Sequence, residues 1–457
     1  MPKPDPHPSP WISRVVHTAG LTGLVILLVG TGFSKAAQNA GMAFALLAFL
    51  GGIWVHRQQW WPCLKADWTM RWTAAWVLYV VVLAIMMAQV HPEVAERHYE
   101  YAWKLSRFFL IGLVAWWVAI AFRRPLNGYF LLLAGFVLGA LLFHHQQGWP
   151  FGLAGARVDL WEGRQFYTLF SASVLASALI LTRDIWGPRS SQWFWFRGAI
   201  WATTILVGAN SLLVSQSRGG LLGLAVGLVF AGAALGYRQL RSDAARSRSS
   251  HRQWLAAAIV AVLLAPILWL GWEANSDRIS HDVTVIAEAI ESGEIQRSSM
   301  GVRLGQWMHG LELLGERPWF GWGPGAGEQL EELAALPETF QAGGTHFHST
   351  PLDLLLWTGI IGALIVLLLL GSIVKGLWPL VMQEGTDSRI ALSGLTVMVI
   401  ALTASLTQTY ITSQVSWFFL AAFLGPAYAL SLRAARNCAW RNNEHETHRP
   451  ATRARGW

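Results

Sequence analysis

Charge is what this sequence has least of. Asp, Glu, Lys and Arg make up 13% of its 457 residues, against about a quarter in a soluble domain. That excludes a string of soluble domains. Cysteine is nearly absent: Cys63 and Cys438 are the two, too few for a disulfide framework. The sequence also lacks an Asp-x-Asp pair, an acidic cluster suited to a divalent ion, a Gly-x-x-x-x-Gly-Lys phosphate loop and a His-Glu-x-x-His helix. These absences argue against a metal-dependent transferase and an ATP-driven pump, so no metal and no cofactor is expected. Met1 to Pro10 is polar and Pro-rich, without a basic stretch feeding a short apolar core. No cleaved signal peptide is expected.

Apolar length is abundant. Hydrophobic residues are 54% of the chain, and Trp alone occurs 27 times. Most of these rings are expected at headgroup depth, where an apolar body and a polar N–H are both satisfied. Runs of about 18 mostly apolar residues read as spanning helices, and there are twelve. The first six are Val15–Phe33, Ala37–Val55, Thr73–Val90, Phe108–Phe122, Leu126–Phe143 and Phe166–Thr182. The rest are Phe194–Val214, Gly220–Leu235, Trp254–Trp272, Leu352–Gly371, Ala391–Leu406 and Val415–Leu430. Phe108–Phe122 and Ala391–Leu406 are the weakest. The fold expected is all-α: a polytopic membrane protein of about twelve transmembrane helices with one long, partly helical external loop. Its divisions are a cytoplasmic N-terminus (1–14), helices 1–9 (15–272), the loop or lid (273–350), helices 10–12 (351–430) and a basic cytoplasmic tail (431–457).

The net charge is +8, but the basic residues cluster in short loops between apolar spans, which argues against nucleic acid and for membrane lipid. With both termini inside, 23 of the 34 Lys and Arg fall on the cytoplasmic side, as positive-inside bias requires. Of the 26 acids, 18 fall outside. Both cysteines are then cytoplasmic free thiols.

Three external segments stand out: His144–Gln165 with Arg157 and Arg164, the tight Ser215–Gly219 link with Arg218, and Glu273–Thr350. The last is too long for an unstructured connection in a compact fold and is expected to form a helical lid. Within it Leu304, Trp307, Met308, Leu311 and Leu314 recur at helical spacing, with Arg303 at the start of that helix. Pro318 breaks it, and Gly321, Gly323 and Gly325 make a turn-rich segment.

Arg218 is the strongest candidate residue. An arginine at a helix end can simply snorkel to water. Against that, it lies on the disfavoured external side, and Gly219 and Gly220 open backbone N–H groups at the start of the next helix. A guanidinium beside a helix N-terminus suits a diphosphate. Arg303 has a surface salt bridge to Glu312 or Glu316 as its plain alternative. His348 is the best general base, since a near-neutral imidazole can take a proton from a hydroxyl. Its rate profile is expected to rise through a pKa near neutrality. His346 is its rival, and Ser349 and Thr350 are candidate caps for the helix that follows. Arg164 is a further contact for glycan or phosphate.

The segment His348-Ser-Thr-Pro-Leu352, followed by Gly359 and Gly362, resembles the His-Asn-x-x-Leu…Gly-x-x-Gly signature of the O-antigen ligase and polymerase family. The Ser217-Arg218-Gly219-Gly220 motif, and Arg303 followed by Trp307 and Pro318-x-x-Gly-x-Gly, are similar to that family's other landmarks. Ser349 stands where many members have Asn. The resemblance implies metal-independent, inverting transfer of a glycan from undecaprenyl diphosphate at the periplasmic face of a Gram-negative inner membrane. It implies Arg218, Arg303 and His348 as catalytic residues, with Gly219, Gly220 and His346 binding substrate; Arg164 lies outside the motifs that carry it. A ligase would use the lipid A–core saccharide as acceptor, and a polymerase another lipid-linked repeat unit. Related enzymes glycosylate a protein hydroxyl. The late, acidic loop is more like the ligases. A polyprenyl-glycan transporter is the alternative of a different class, for which broken helices near the midplane would speak.

Overall fold

A computed structural model describes residues 10–150, 164–241, 276–292, 298–327 and 346–447, with four further positions between 269 and 295. Side chains of the last helix are described to residue 434. The fold is all-helical, with no strand among the described residues. In chain order the helices are α1 (Pro10–Gly30), α2 (Lys35–Val55), α3 (Arg57–Ala66), α4 (Trp68–Val90), α5 (Ala95–Ser106), α6 (Phe109–Ala121), α7 (Leu126–Gln146) and α8 (Arg164–Ile180). There follow α9 (Thr182–Trp186), α10 (Phe194–Ser215), α11 (Arg218–Arg241), α12 (Ser276–Ser292), α13 (Ser299–Glu316), α14 (Thr350–Val381), α15 (Thr386–Ser405) and α16 (Gln414–Thr447).

Ten helical stretches are long and apolar enough to cross a membrane, and Gln165–Ile180 is a shorter apolar one. Eleven of the twelve expected spans thus have a helix, while Trp254–Trp272 lies outside the described residues apart from its last positions. The weak Phe108–Phe122 span is the second half of a 30-residue stretch, Pro92–Ala121, interrupted at Arg107 and Phe108 between α5 and α6. Charged residues in α5 hide that continuity from a hydropathy reading. Ala391–Leu406 begins earlier, at Thr386, because Asp387 and Arg389 belong to the helix.

The centre of the bundle is α15 and α16, whose apolar windows are 78% and 89% buried, against a third for α1 and α4. Without water in the bilayer, small residues let helices approach and polar groups find partners inside the protein. Gly23 and Gly41 bring α1 and α2 into backbone contact. Tryptophan divides between two environments. Trp76, Trp117, Trp357 and Trp417 are fully buried, and Trp76 and Trp117 donate their indole N–H to the carbonyls of Leu105 and Ala45. Trp11, Trp54, Trp61, Trp68, Trp193 and Trp195 are among the exposed ones. Cys63 is buried, its thiol donating to the Gln59 carbonyl at 3.3 Å.

Candidate active site

The first element of the site is the turn between α10 and α11. Gln216 caps α10 in the left-handed region at φ 45°, uncommon for a residue other than glycine. The chain then re-enters helix at once. The first bond of α11 runs from Leu221 N–H to the Ser217 carbonyl at 3.2 Å, so the N–H groups of Arg218, Gly219 and Gly220 have no acceptor in their own helix. The glycines also serve packing. A Cβ on Gly220 would collide with Thr168 of α8, and one on Gly219 would press on Thr407. The Arg218 side chain, 29% exposed, forms an ion pair with Asp282 of α12.

The second element is α13, capped by Ser298, whose hydroxyl accepts the Gly301 N–H at 3.0 Å. Its buried face is Gly301, Gly305, Gln306, Gly310 and Leu313. Met308 and Leu311, expected on an apolar stripe, are 53% and 61% exposed. The helix turns its glycines inward because Phe347 and Leu352 lie against Gly310. Trp307 then donates to the Phe347 carbonyl at 2.9 Å. Arg303 sits in the second turn rather than at the start, and among the described residues it makes no ion pair with Glu312, Glu316 or any other acid. Glu312 faces His309 instead, at 3.5 Å. Burial and the facing charge of Arg218 pull the Arg303 pKa down, with Asp282 and Tyr410 opposing.

The third element is the approach to α14. Phe347 is 1% exposed and anchors the two histidines on either side of it. His348 adopts φ 51°, and its ring meets that of His346 edge-on, centroids 4.6 Å apart. Burial lowers the His346 pKa to about 4, helped by His348 and Arg303. Burial and Arg303 also lower that of His348, with the Gln408 side chain pulling the other way. Both rings are therefore neutral at ordinary pH, and the rise expected near neutrality moves to lower pH. Ser349 stands at the N-cap position but its side chain caps nothing. The Thr350 hydroxyl instead reaches the link between α15 and α16, donating to the Gln408 carbonyl and accepting the Tyr410 N–H, each at 2.9 Å.

Arg303 is the hub of this arrangement, close enough to Arg218, His346, His348 and Tyr410 for their charges to act on one another. Two guanidiniums and two neutral imidazoles at one end of the bundle make a place that attracts an anion and accepts a proton. Residues 202–367, about a third of the chain, match the family model described as O-antigen ligase. Over those residues the chain is similar to that family. No curated protein matches the chain.

The matched segment holds Arg218, Gly219, Gly220, Arg303, His346 and His348, and its last part explains the glycine motifs. α14 is interrupted at Gly359, φ 63°. In a continuous helix Ile360 and Ile361 would donate to Leu356 and Trp357. Here those carbonyls accept from Trp322 and Gly323, at 2.7 and 3.2 Å, and the two N–H groups donate to Pro318 and Trp319, at 2.8 and 3.3 Å. A Cβ on Gly359 would strike Trp319, and one on Gly321 would strike the α14 backbone. The Pro-x-x-Gly-x-Gly segment is thus spliced into the broken helix. His98 secures its far end, bonded to the Pro324 carbonyl at 2.7 Å.

Arg164 opens α8 next to Gln165, whose carbonyl is 3.5 Å from the Tyr410 hydroxyl; the Arg164 side chain and all of Arg157 lie outside what is described. Sequence reasoning missed four residues. Asp353 is completely buried, accepting the Phe347 N–H at 2.9 Å and the Thr409 hydroxyl. An acid just inside an apolar span is a signal that was there to be used. Asp282, Gln408 and Tyr410 carried none, because only the tertiary fold brings them to the arginines and histidines. Among the described residues no three His, Cys, Asp or Glu side chains converge as metal ligands.

Proposed function

We propose that this protein transfers O-antigen glycan from undecaprenyl diphosphate to a hydroxyl of the lipid A–core oligosaccharide, at the periplasmic face of the inner membrane. Similarity to the O-antigen ligase family supports ligase or polymerase activity. The observation that carries the mechanism is the grouping of Arg303 with Arg218, His346 and His348. Arg218 and Arg303 bind the diphosphate and stabilise the charge that grows on it as it leaves. His348 takes the proton of the acceptor hydroxyl. The acceptor oxygen forms its bond to the anomeric carbon as the bond to phosphate breaks, with inversion and without a metal. His346, Gly219, Gly220 and Arg164 bind substrate around these three.

Polymerisation uses the same chemistry on a different acceptor. A transporter would also carry a discontinuous helix, but at Gly359 the four interrupted backbone groups are all taken up by residues 318–323, and the break offers a cargo none of them. The test is transfer by purified protein in detergent with excess EDTA, given lipid A–core or a second lipid-linked repeat as acceptor. Glycan appearing on lipid A–core supports the ligase. Product only on the lipid-linked repeat makes it a polymerase, and activity restored only by magnesium or manganese overturns the mechanism.

A further inference from the structure

The base chemistry leaves one atom of His348 without a task. Its Nδ1 is buried with no hydrogen-bond partner among the described residues, and so is Gln408 Oε1. The two side chains stand beside each other, one on the approach to α14 and one on the link between α15 and α16. A neutral imidazole offers one donor nitrogen and one acceptor, and an amide oxygen only accepts. The pair matches in one way: Nδ1–H donates to Oε1, and Nε2 keeps its lone pair. We propose that Gln408 is a positioning residue, whose amide oxygen holds His348 in the Nδ1–H tautomer and presents Nε2 to the acceptor hydroxyl. This rests on reading His348 as the general base.

The link is built to hold that amide in place. Thr350 accepts the Tyr410 N–H and donates to the Gln408 carbonyl. Thr409 donates to Asp353, whose other oxygen accepts the Phe347 N–H. One buried carboxylate thereby ties the link bearing Gln408 to the loop bearing His348. Gln408 itself is 8% exposed, with little room to turn away. The left-handed backbone of His348 (φ 51°) is strain of the kind that persists where surroundings fix a functional group. The charged and titratable groups around the ring are Arg303 from α13 and His346 from its own loop, with Arg218, Asp282 and Tyr410 grouped around Arg303. Asp353 is already engaged by Phe347 and Thr409. An amide orients a base without adding charge; a carboxylate in that place would also raise its pKa.

That difference supplies the test. Single-turnover transfer and kcat/KM are measured from pH 5 to 9 for the wild type, Gln408→Glu, Gln408→Met and His348→Ala, with folding checked by thermal melting in detergent. Gln408→Glu keeps an acceptor and adds charge, so the acid limb of the profile should move up by about a pH unit while the plateau rate survives. Gln408→Met loses the acceptor, and kcat should drop about ten- to a hundredfold with donor KM unchanged. A residue that only supports the fold would not move the limb. If Gln408→Met fails to fold, the Gln408→Glu shift alone decides. An unmoved limb in Gln408→Glu overturns the assignment. If His348→Ala loses rate and limb while the Gln408 variants match the wild type, only the Gln408 role falls. If His348→Ala keeps both, the general-base reading falls and this proposal with it.

Discussion

The two ends of the bundle each carry an Arg–Asp pair, and the two pairs are built differently. At the end away from the candidate site, Arg389 of α15 grips Asp184 of α9 through two nitrogens, Nε to Oδ2 at 2.5 Å and Nη2 to Oδ1 at 2.7 Å. Thr386 adds its hydroxyl at 2.7 Å, and the carboxylate is 6% exposed. Burial pushes the Asp184 pKa up, but the bonds from Arg389 and Thr386 outweigh it and hold it below the usual range. At the site end, Arg218 pairs with Asp282, and Arg303 stands nearby with no ion pair of its own among the described residues. Among the described acids, Asp282 is the one paired there, and two guanidiniums lie near it. A closed pair is a clamp between helices, whereas two neighbouring arginines are suited to receive an anion.

The contrast breaks most visibly in transfer rate. Arg218→Ala and Arg303→Ala should each cost about 10²–10³ in kcat, the loss expected when a donor to developing charge is removed. Arg218→Lys should recover little of it, since a point charge replaces a planar fork. Arg389→Ala should leave transfer per folded molecule unchanged. Normal transfer by Arg218→Ala, measured on membranes with confirmed insertion, would end the assignment of this site.

Stability should show the reverse order. Arg389→Ala strands a nearly buried carboxylate and should cost roughly 2–3 kcal/mol, below the range for a fully buried pair because Arg389 keeps some exposure. Thermal melting in detergent reads this directly. Arg303→Ala relieves a crowded charge and should melt within a degree or two of wild type. A larger drop for Arg303→Ala than for Arg389→Ala would invert the comparison.

The imidazoles sharpen it in pH. A general base works as its neutral form, so rate is lost as pH falls through its pKa. Because burial and Arg303 lower the His348 pKa, the acid limb of kcat/KM should lie at lower pH than a free imidazole would place it. An acid limb above pH 7 in the free enzyme would mean that His348 is not the titrating base.

How much of this was legible beforehand follows the range of the interactions. Apolar runs report helices locally, and eleven expected spans have them. Phe108–Phe122 looked short because α5 carries Glu96, Arg97, Glu100 and Lys104, charges a local reading places in water. Arg218, Arg303, His346 and His348 were visible because charge at a membrane edge is rare. The rotation of α13 was not, since its glycines, rather than Met308 and Leu311, face inward only when Phe347 and Leu352 are present to pack on them. Gln408 and Tyr410 lie some sixty residues beyond His348 and beyond the matched segment. Nothing in their local sequence announces a link folded back onto α14 by Thr350.

The smallest expected effect is the most diagnostic, because it goes the other way. Asp282 is the acid that the diphosphate must displace or share if Arg218 binds the donor. Its side chain is 19% exposed, against 6% for Asp184, and sits on α12, outside the membrane-spanning bundle, so this pair should matter less to stability than the Arg389–Asp184 one. Asp282→Asn keeps the shape and a hydrogen-bond acceptor while removing the competing charge. Donor KM should fall by a few-fold and inorganic pyrophosphate should inhibit more strongly, with kcat nearly unchanged, since the interaction is lost before the transition state is reached. A structural clamp predicts the opposite: lower melting temperature and a raised or unaltered KM, as for Asp184→Asn at the other end. Titrating both variants with pyrophosphate separates the cases, and a KM that rises in Asp282→Asn would make Asp282 part of the binding site rather than its placeholder.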